Sequence, residues 1–356
     1  RNDVSGKLQI APKLYGREKE INRLLSIYAA VAEGRSKLCL VSGFAGIGKS
    51  AFVHTGKKPI TAQQGFFIEG KFDQYHQNVP YSAWIQAFDS LSSYLITASD
   101  EVIAKWRENF EAALGENGKV ITDVVPSMTL IMGEQPEVPE LGGAEFQNRF
   151  YYVFRRFLAV IAQKQHPLVV FLDDLQWIDA ASIQLLTLVL QDPDLAHLLV
   201  IGAYRDNEVD ETHRLRTGVT ELKKGGVFLE HIELHNLTVQ SMGELLADTL
   251  LCEAKEVKPL AQLIRSKTGG NAFFTHQMLY SLEDDKNFHY DWQKRNWQWE
   301  PSALRDANIT DNVVDLLVRR LENLTSATRS VLKLAACIGF RFDLQTLSIM
   351  SERSPE

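Results

Sequence analysis

Short apolar runs alternate with longer amphipathic stretches along most of this chain. Ile21, Leu24, Leu25, Tyr28 and Val31 recur at helical spacing within Glu18–Glu33, and Gly34 sits where a C-terminal cap belongs. Lys37–Ser42 (KLCLVS) reads as a strand, as do Gly65–Gly70, Pro167–Asp174, Leu198–Tyr204 and Val227–Leu234. Pro167–Asp174 (PLVVFLDD) carries the near-continuous apolar run expected of a strand covered on both faces. Strands separated by helical stretches predict an α/β fold with a parallel sheet flanked by helices. Between the second and third strands, Tyr81–Ile96, Asp100–Leu114 and Ala144–Gln163 read as helices, and Gly133–Gly143 as a mobile loop.

After Leu234 the pattern changes. Thr238–Leu250 and Lys258–Thr268 read as helices. Asn287–Glu300 carries Trp292, Trp297 and Trp299 around a polar centre, which predicts a β-hairpin. Thr310–Leu324, Thr325–Ile338 (capped by Gly339) and Leu344–Met350 read as helices. This divides the chain into a sheet domain over 12–236, a helical segment over 237–284 and a smaller module over 285–356. The missing initial Met and the end just after an apolar helical run are what a piece of a longer polypeptide would show, with the last module truncated.

Gly43-Phe44-Ala45-Gly46-Ile47-Gly48-Lys49-Ser50 fits GxxxxGK[ST], the phosphate-binding P-loop. Backbone N–H groups there wrap a phosphate, and side chains at the glycines would obstruct that approach. The helix that follows aims its N-terminus at the anion. Lys49 is placed to reach the β- and γ-phosphates, and Ser50 to offer a hydroxyl to Mg²⁺, which takes oxygen ligands. The expected nucleotide contacts are Gly43, Phe44, Ala45, Gly46, Ile47, Gly48, Lys49, Ser50 and Ala51. The run ending in Asp173-Asp174 completes the pattern: Asp173 would hold Mg²⁺ with Ser50, and Asp174 would orient or deprotonate an attacking water. Asp179 reads as a helix N-cap, and Trp177 as core or as part of the nucleotide rim. Arg205 follows the fourth strand, where α/β proteins place ligands. It reads either as a γ-phosphate sensor, its guanidinium giving bidentate geometry, or as one half of a surface salt bridge.

Composition narrows the rest. The chain has 356 residues, 38 Lys+Arg against 45 Asp+Glu and a net charge of −7, which argues against bulk affinity for nucleic acid. No apolar stretch is long enough for a membrane-spanning helix, and the start carries no secretory leader. Cys39, Cys252 and Cys337 are scattered, which fits a reducing, cytoplasmic setting and gives no metal pair. Cys39 and Cys337 lie in apolar surroundings and are expected to be buried. The histidines form no metal-binding spacing, Lys223-Lys224 and Arg319-Arg320 read as solvated charge pairs, and the Trp hairpin reads as packing.

With these residues in view, the chain resembles the STAND branch of the AAA-like P-loop ATPases. More narrowly, it is similar to the ATPase region of large bacterial hybrid signalling kinases, over about residues 12–350. The resemblance rests on Leu14-Tyr15-Gly16-Arg17-Glu18 with Glu20, the P-loop, Gly70-Lys71-Phe72-Asp73-Gln74 and Pro80-Tyr81-Ser82-Ala83. It continues through Asp173-Asp174-Leu175-Gln176-Trp177, Gly202-Ala203-Tyr204-Arg205-Asp206 and Gly269-Gly270-Asn271. It implies that Gly16 and Arg17 contact the base and ribose, that Arg205 is the sensor, and that Gly-Gly-Asn belongs to a helical lid. The Pro that usually follows it and touches adenine is replaced here by Ala272. The resemblance further implies a winged-helix-like module after the lid and ATP/ADP with Mg²⁺ as cofactors. It implies a slowly hydrolysing switch serving flanking kinase and sensor domains of the same polypeptide, with a nucleotide-dependent homo-oligomer as one form. A LuxR-type transcription activator module and a non-hydrolysing nucleotide scaffold are the alternatives. No HRD, DFG or phospho-acceptor His box is present, so kinase chemistry would lie outside these residues.

Overall fold

The computed structural model describes residues 8–75, 79–284, 287–293, 295–299, 318, 321–322, 324–338 and 343–352. The chain divides into two compact units, one of Lys19–Phe44 with Lys49–Leu234, the other of Arg1–Glu18, Ala45–Gly48 and His235–Glu356.

The larger unit is built on five strands: β1 (Lys37–Ser42), β2 (Phe66–Lys71), β3 (Leu168–Asp173), β4 (Leu198–Tyr204) and β5 (Leu229–Glu233). They pair in the order β2-β3-β4-β1-β5, and every pairing is parallel. All six residues of β1 and all seven of β4 are buried, as the unbroken apolar runs require of central strands covered on both faces. Among the described residues β2 pairs on one side only and forms one edge of the sheet. Because all strands run the same way, their carboxyl ends gather along one margin. β3 follows β2 in the sheet but comes about a hundred residues later in the chain.

Helices fill the crossovers. α1 (Glu18–Ala32) ends at Gly34, whose φ of 108° suits a glycine C-terminal to a helix. α2 (Lys49–Ala62) follows β1. The long connection from β2 to β3 holds α3 (Ser82–Leu95), α4 (Asp100–Leu114), α5 (Gly118–Val124), α6 (Thr129–Met132) and α7 (Gly143–Ile161). Their aromatic faces interlock: Trp84, Phe88, Phe110, Phe154 and Phe157 are all fully buried, with Phe88 edge-on to Phe154 at 5.5 Å between centroids. α3 docks tightly on β2, and a Cβ at Gly70 would sit 1.7 Å from the Ala83 carbonyl oxygen. α8 (Ala180–Gln191) and α9 (Arg214–Lys224) complete the unit.

In the smaller unit, α10 (Val239–Leu250), α11 (Lys258–Thr268) and α12 (Ala272–Asp284) pack around Met242, Leu246, Ile264 and Leu279. A two-stranded antiparallel hairpin, β6 (Phe288–Asp291) with β7 (Asn296–Trp299), adds Phe288 and Trp297 to this core. Trp292 is solvent-exposed. Helices Ser326–Ile338 and Leu344–Ser351 follow. The expected helix Thr310–Leu324, Arg319-Arg320 and the Gly339 cap fall wholly or mostly outside the described residues.

One expectation is corrected. Cys39 is buried, but Cys337 is exposed. Its helix buries Ala335 alone, so helical apolar spacing there does not mark a covered face among the described residues. Lys223 and Lys224 are exposed as expected. Among the described residues no helix is long and apolar enough to cross a membrane.

Candidate nucleotide-binding site

The chain leaves β1 at Ser42 and runs through the glycine-rich loop into α2. Gly43, Gly46 and Gly48 adopt φ values of 151°, 74° and 100°, a backbone that residues with a Cβ rarely take. A Cβ at Gly48 would meet nothing within 4 Å, so the glycine is there for conformation and for open space above the loop. Lys49 opens α2 with its side chain 7% exposed. Its Nζ folds back and donates to the carbonyls of Gly43 at 2.7 Å and Phe44 at 3.0 Å. Burial pulls the Lys49 pKa below its usual value, with the charges of Asp173 and Asp174 opposing that shift.

Strand pairing brings the remaining groups of this unit to the same margin. Ser50 Oγ donates to Asp173 Oδ2 at 2.7 Å, joining the first turn of α2 to the end of β3. Burial raises the Asp173 pKa, against the Ser50 hydrogen bond, which lowers it. Asp174 turns the chain off β3 in the left-handed region, with φ 54° and ψ 47°. Its buried carboxylate meets Lys71 Nζ at 2.9 Å, Gln176 Nε2 at 2.9 Å and Arg205 Nε at 3.7 Å. Arg205 also reaches Glu208 at 2.8 Å and lies over the Trp177 ring at 5.1 Å. Trp177 is thus a platform for the guanidinium as well as a flank of the core. Asp179 caps α8, accepting from Ser182 N at 2.9 Å.

Three participants carried no role in the sequence reading. Lys71 stood only in a family motif, yet β2–β3 pairing sets it opposite Asp173. Gln176 ties Asp174 to the Arg205 backbone, accepting from its N–H at 3.2 Å while donating to Asp174. Glu208 closes the arginine's outer side. The signal for Lys71 was its place at a strand end next to the acidic strand end, legible only once the strand order is known.

The smaller unit holds the other predicted residues. Gly16 has φ 63°, and a Cβ there would lie 2.2 Å from Ser241 Oγ. Arg17 is buried, and its Nη2 donates to the His235 carbonyl. Asn271 of the Gly-Gly-Asn segment donates to the Ala45 carbonyl at 2.8 Å, and Phe273 N–H donates to the Gly46 carbonyl at 2.9 Å. A side-chain and a backbone donor therefore hold two adjacent loop carbonyls.

The donor set suits a Mg²⁺-bound nucleotide. A hydroxyl and a carboxylate, both hard oxygens, meet at Ser50 and Asp173, and a desolvated ammonium lies one residue away at Lys49.

The family model for the AAA ATPase domain matches residues 13–201. A curated relative, the hybrid signal transduction histidine kinase G of Dictyostelium discoideum, is 30% identical over 420 residues, covering 99% of this chain. The chain spans 12% of the length of that relative. Among solved structures, Drosophila ORC bound to DNA gives a TM-score of 0.47 at 11% identity, over 96% of this chain and 74% of that one. Cdc6p from Pyrobaculum aerophilum gives 0.44 at 14% identity, over 78% and 65%.

Proposed function

We propose that this chain, which belongs to the AAA ATPase domain family, binds ATP with Mg²⁺ and hydrolyses it slowly, as the regulatory switch of a larger signal-transduction kinase. The observation that carries the reading is the Ser50–Asp173 pair at 2.7 Å, directly after a loop with three left-handed glycines. The pair supports the reading because a hydroxyl and a carboxylate, oxygens of the kind Mg²⁺ takes, lie side by side.

In this reading Gly43–Ala51 cradles the phosphates, and Lys49 leaves the Gly43 and Phe44 carbonyls to meet phosphate oxygens. Ser50 and Asp173 would hold Mg²⁺, which would supply positive charge to the phosphate oxygens. Asp174, held in place by Lys71 and Gln176, orients or deprotonates an attacking water. Arg205 acts as the sensor of the terminal phosphate, and Gly16 and Arg17 contact the base and ribose. Residues 12–236 form the ATPase domain, 237–284 a helical lid and 285–356 a winged-helix-like module.

The kinase context rests on the similarity to the Dictyostelium hybrid histidine kinase. Flanking kinase and sensor domains of one cytoplasmic polypeptide would then receive the nucleotide state as a signal, in the manner of STAND proteins in two-component signalling, with a nucleotide-dependent homo-oligomer as one output.

Single-turnover hydrolysis of ATP by the wild type and by Asp174→Asn tests the enzymatic part. A slow rate that falls about a hundredfold or more in the variant, with binding retained, supports it. Equal rates in the two proteins contradict it.

A further inference from the structure

β2 is an edge strand, and its two sides are not alike. Phe66 N–H donates to the Pro167 carbonyl and Phe72 N–H donates to the Asp173 carbonyl. Backbone direction alternates along a strand, so the even-numbered residues face β3. The N–H and C=O groups of Phe67, Glu69 and Lys71 therefore point to the open edge. At the carboxyl end that edge is closed. The Lys71 N–H is taken by Gln86 Oε1 at 3.1 Å. At Phe67 and Glu69 no hydrogen-bond partner stands opposite among the described residues. Unpaired edges of this kind are templates for another strand.

The open half lies in a groove. A cavity of about 610 Å³ runs along Phe66–Glu69 between α2 and α3. A second, of about 780 Å³, lies between α4 and α7, and the two share Gln165 and His166. Where they meet, Phe66 and Trp106 each approach the His166 ring at 5.1 Å, giving an aromatic wall. The charge of the groove runs against that of the chain. Lys57, Lys105 and Arg156 line it, and none has a carboxylate partner among the described residues. Among the described residues Glu69 is the one lining carboxylate, and it is paired with His54 at 3.5 Å.

We propose that this groove docks an acidic, extended segment of a partner protein, which adds to the sheet alongside β2. The Phe67 and Glu69 backbone groups supply the hydrogen bonds of strand addition, and the aromatic wall takes an apolar side chain. Lys57, Lys105 and Arg156 select acidic partners. The site lies away from the strand carboxyl ends, since Gln165 and His166 precede β3, so it is separate from the nucleotide residues of this unit.

The probes are short, acetylated and amidated peptides in which valine alternates with glutamate, lysine or serine, titrated against the whole chain by fluorescence anisotropy. The glutamate peptide should bind saturably, weaken as salt rises, and exceed the lysine peptide by about tenfold or more. Glu69→Pro removes one outward N–H while leaving the β3 ladder intact, and should weaken binding about tenfold. Glu69→Ala keeps that N–H and should bind no worse than the wild type. Hydrogen exchange on the wild type supplies a readout that does not depend on the proline variant folding: the peptide should protect the Phe67 and Glu69 amides. The proposal is overturned if the glutamate peptide binds no better than the lysine peptide, if the two Glu69 variants bind it alike, or if neither amide gains protection. Self-association of the chain that Glu69→Pro abolishes would put a second copy in the groove and equally overturn it.

Discussion

Ser50 and Asp173 stand 123 positions apart in sequence and are joined by a hydrogen bond of 2.7 Å. Burial disfavours the charged carboxylate of Asp173, and the Ser50 hydroxyl only partly offsets this. The protein thus holds a negative group where a cation would relieve it.

This gives a stability prediction with a definite sign. The folded-state pKa of Asp173 is raised. Its contribution to stability is therefore full below the ordinary carboxylate pKa and is lost as pH rises through the raised value. Without nucleotide or Mg²⁺ at neutral pH, Asp173→Asn should be more stable than the wild type by about 1 kcal/mol. The gap should close as pH falls below the carboxylate range. Denaturant melts of both proteins across that window measure it, and a wild type more stable at neutral pH would refute the electrostatic account.

Lys71 and Asp174 make the second test. Asp174 is 6% exposed, and removing its lysine partner leaves a buried charge with less compensation. Lys71 is itself partly exposed, so the effect is modest: Lys71→Ala should destabilise by about 1–2 kcal/mol. In an Asp174→Asn background the same change should cost little. A double-mutant cycle showing no coupling would mean that the contact contributes nothing to the fold.

Thiol chemistry separates the three cysteines. Burial pushes the Cys39 pKa up to about 12 and that of Cys252 up to about 11, whereas Cys337 is exposed. A water-soluble alkylating reagent should modify Cys337 first in the native protein and Cys39 only on unfolding. Peptide mass spectrometry over time gives the order, and early modification of Cys39 would show that β1 is not held as described.

These residues also show what the sequence could reveal. β1 and β4 were legible because strands buried on both faces leave continuous apolar runs, and the P-loop because its glycines and Lys49 are contiguous. α9 was missed: it is capped by the His213 ring, which accepts from Leu215 N, and its sequence is largely charged. α12 fell within the helical segment read over 237–284 but had no bounds of its own there. Lys71 could not be assigned a role, because its partner Asp174 lies across a parallel pairing whose connection runs through five helices. Cys337 misled because helical apolar spacing says which face is apolar but not whether anything covers it.

The central claim is that the glycine-rich loop with Lys49 forms a phosphate seat for ATP. It is tested most directly by calorimetric titration of ATP, with Mg²⁺ present, into the wild type and Lys49→Ala. The account predicts saturable binding at one site in the wild type and affinity weaker by about a hundredfold or more in the variant, since a desolvated charge-assisted contact is lost. Equal affinity in the two proteins, or no binding to the wild type, would contradict it.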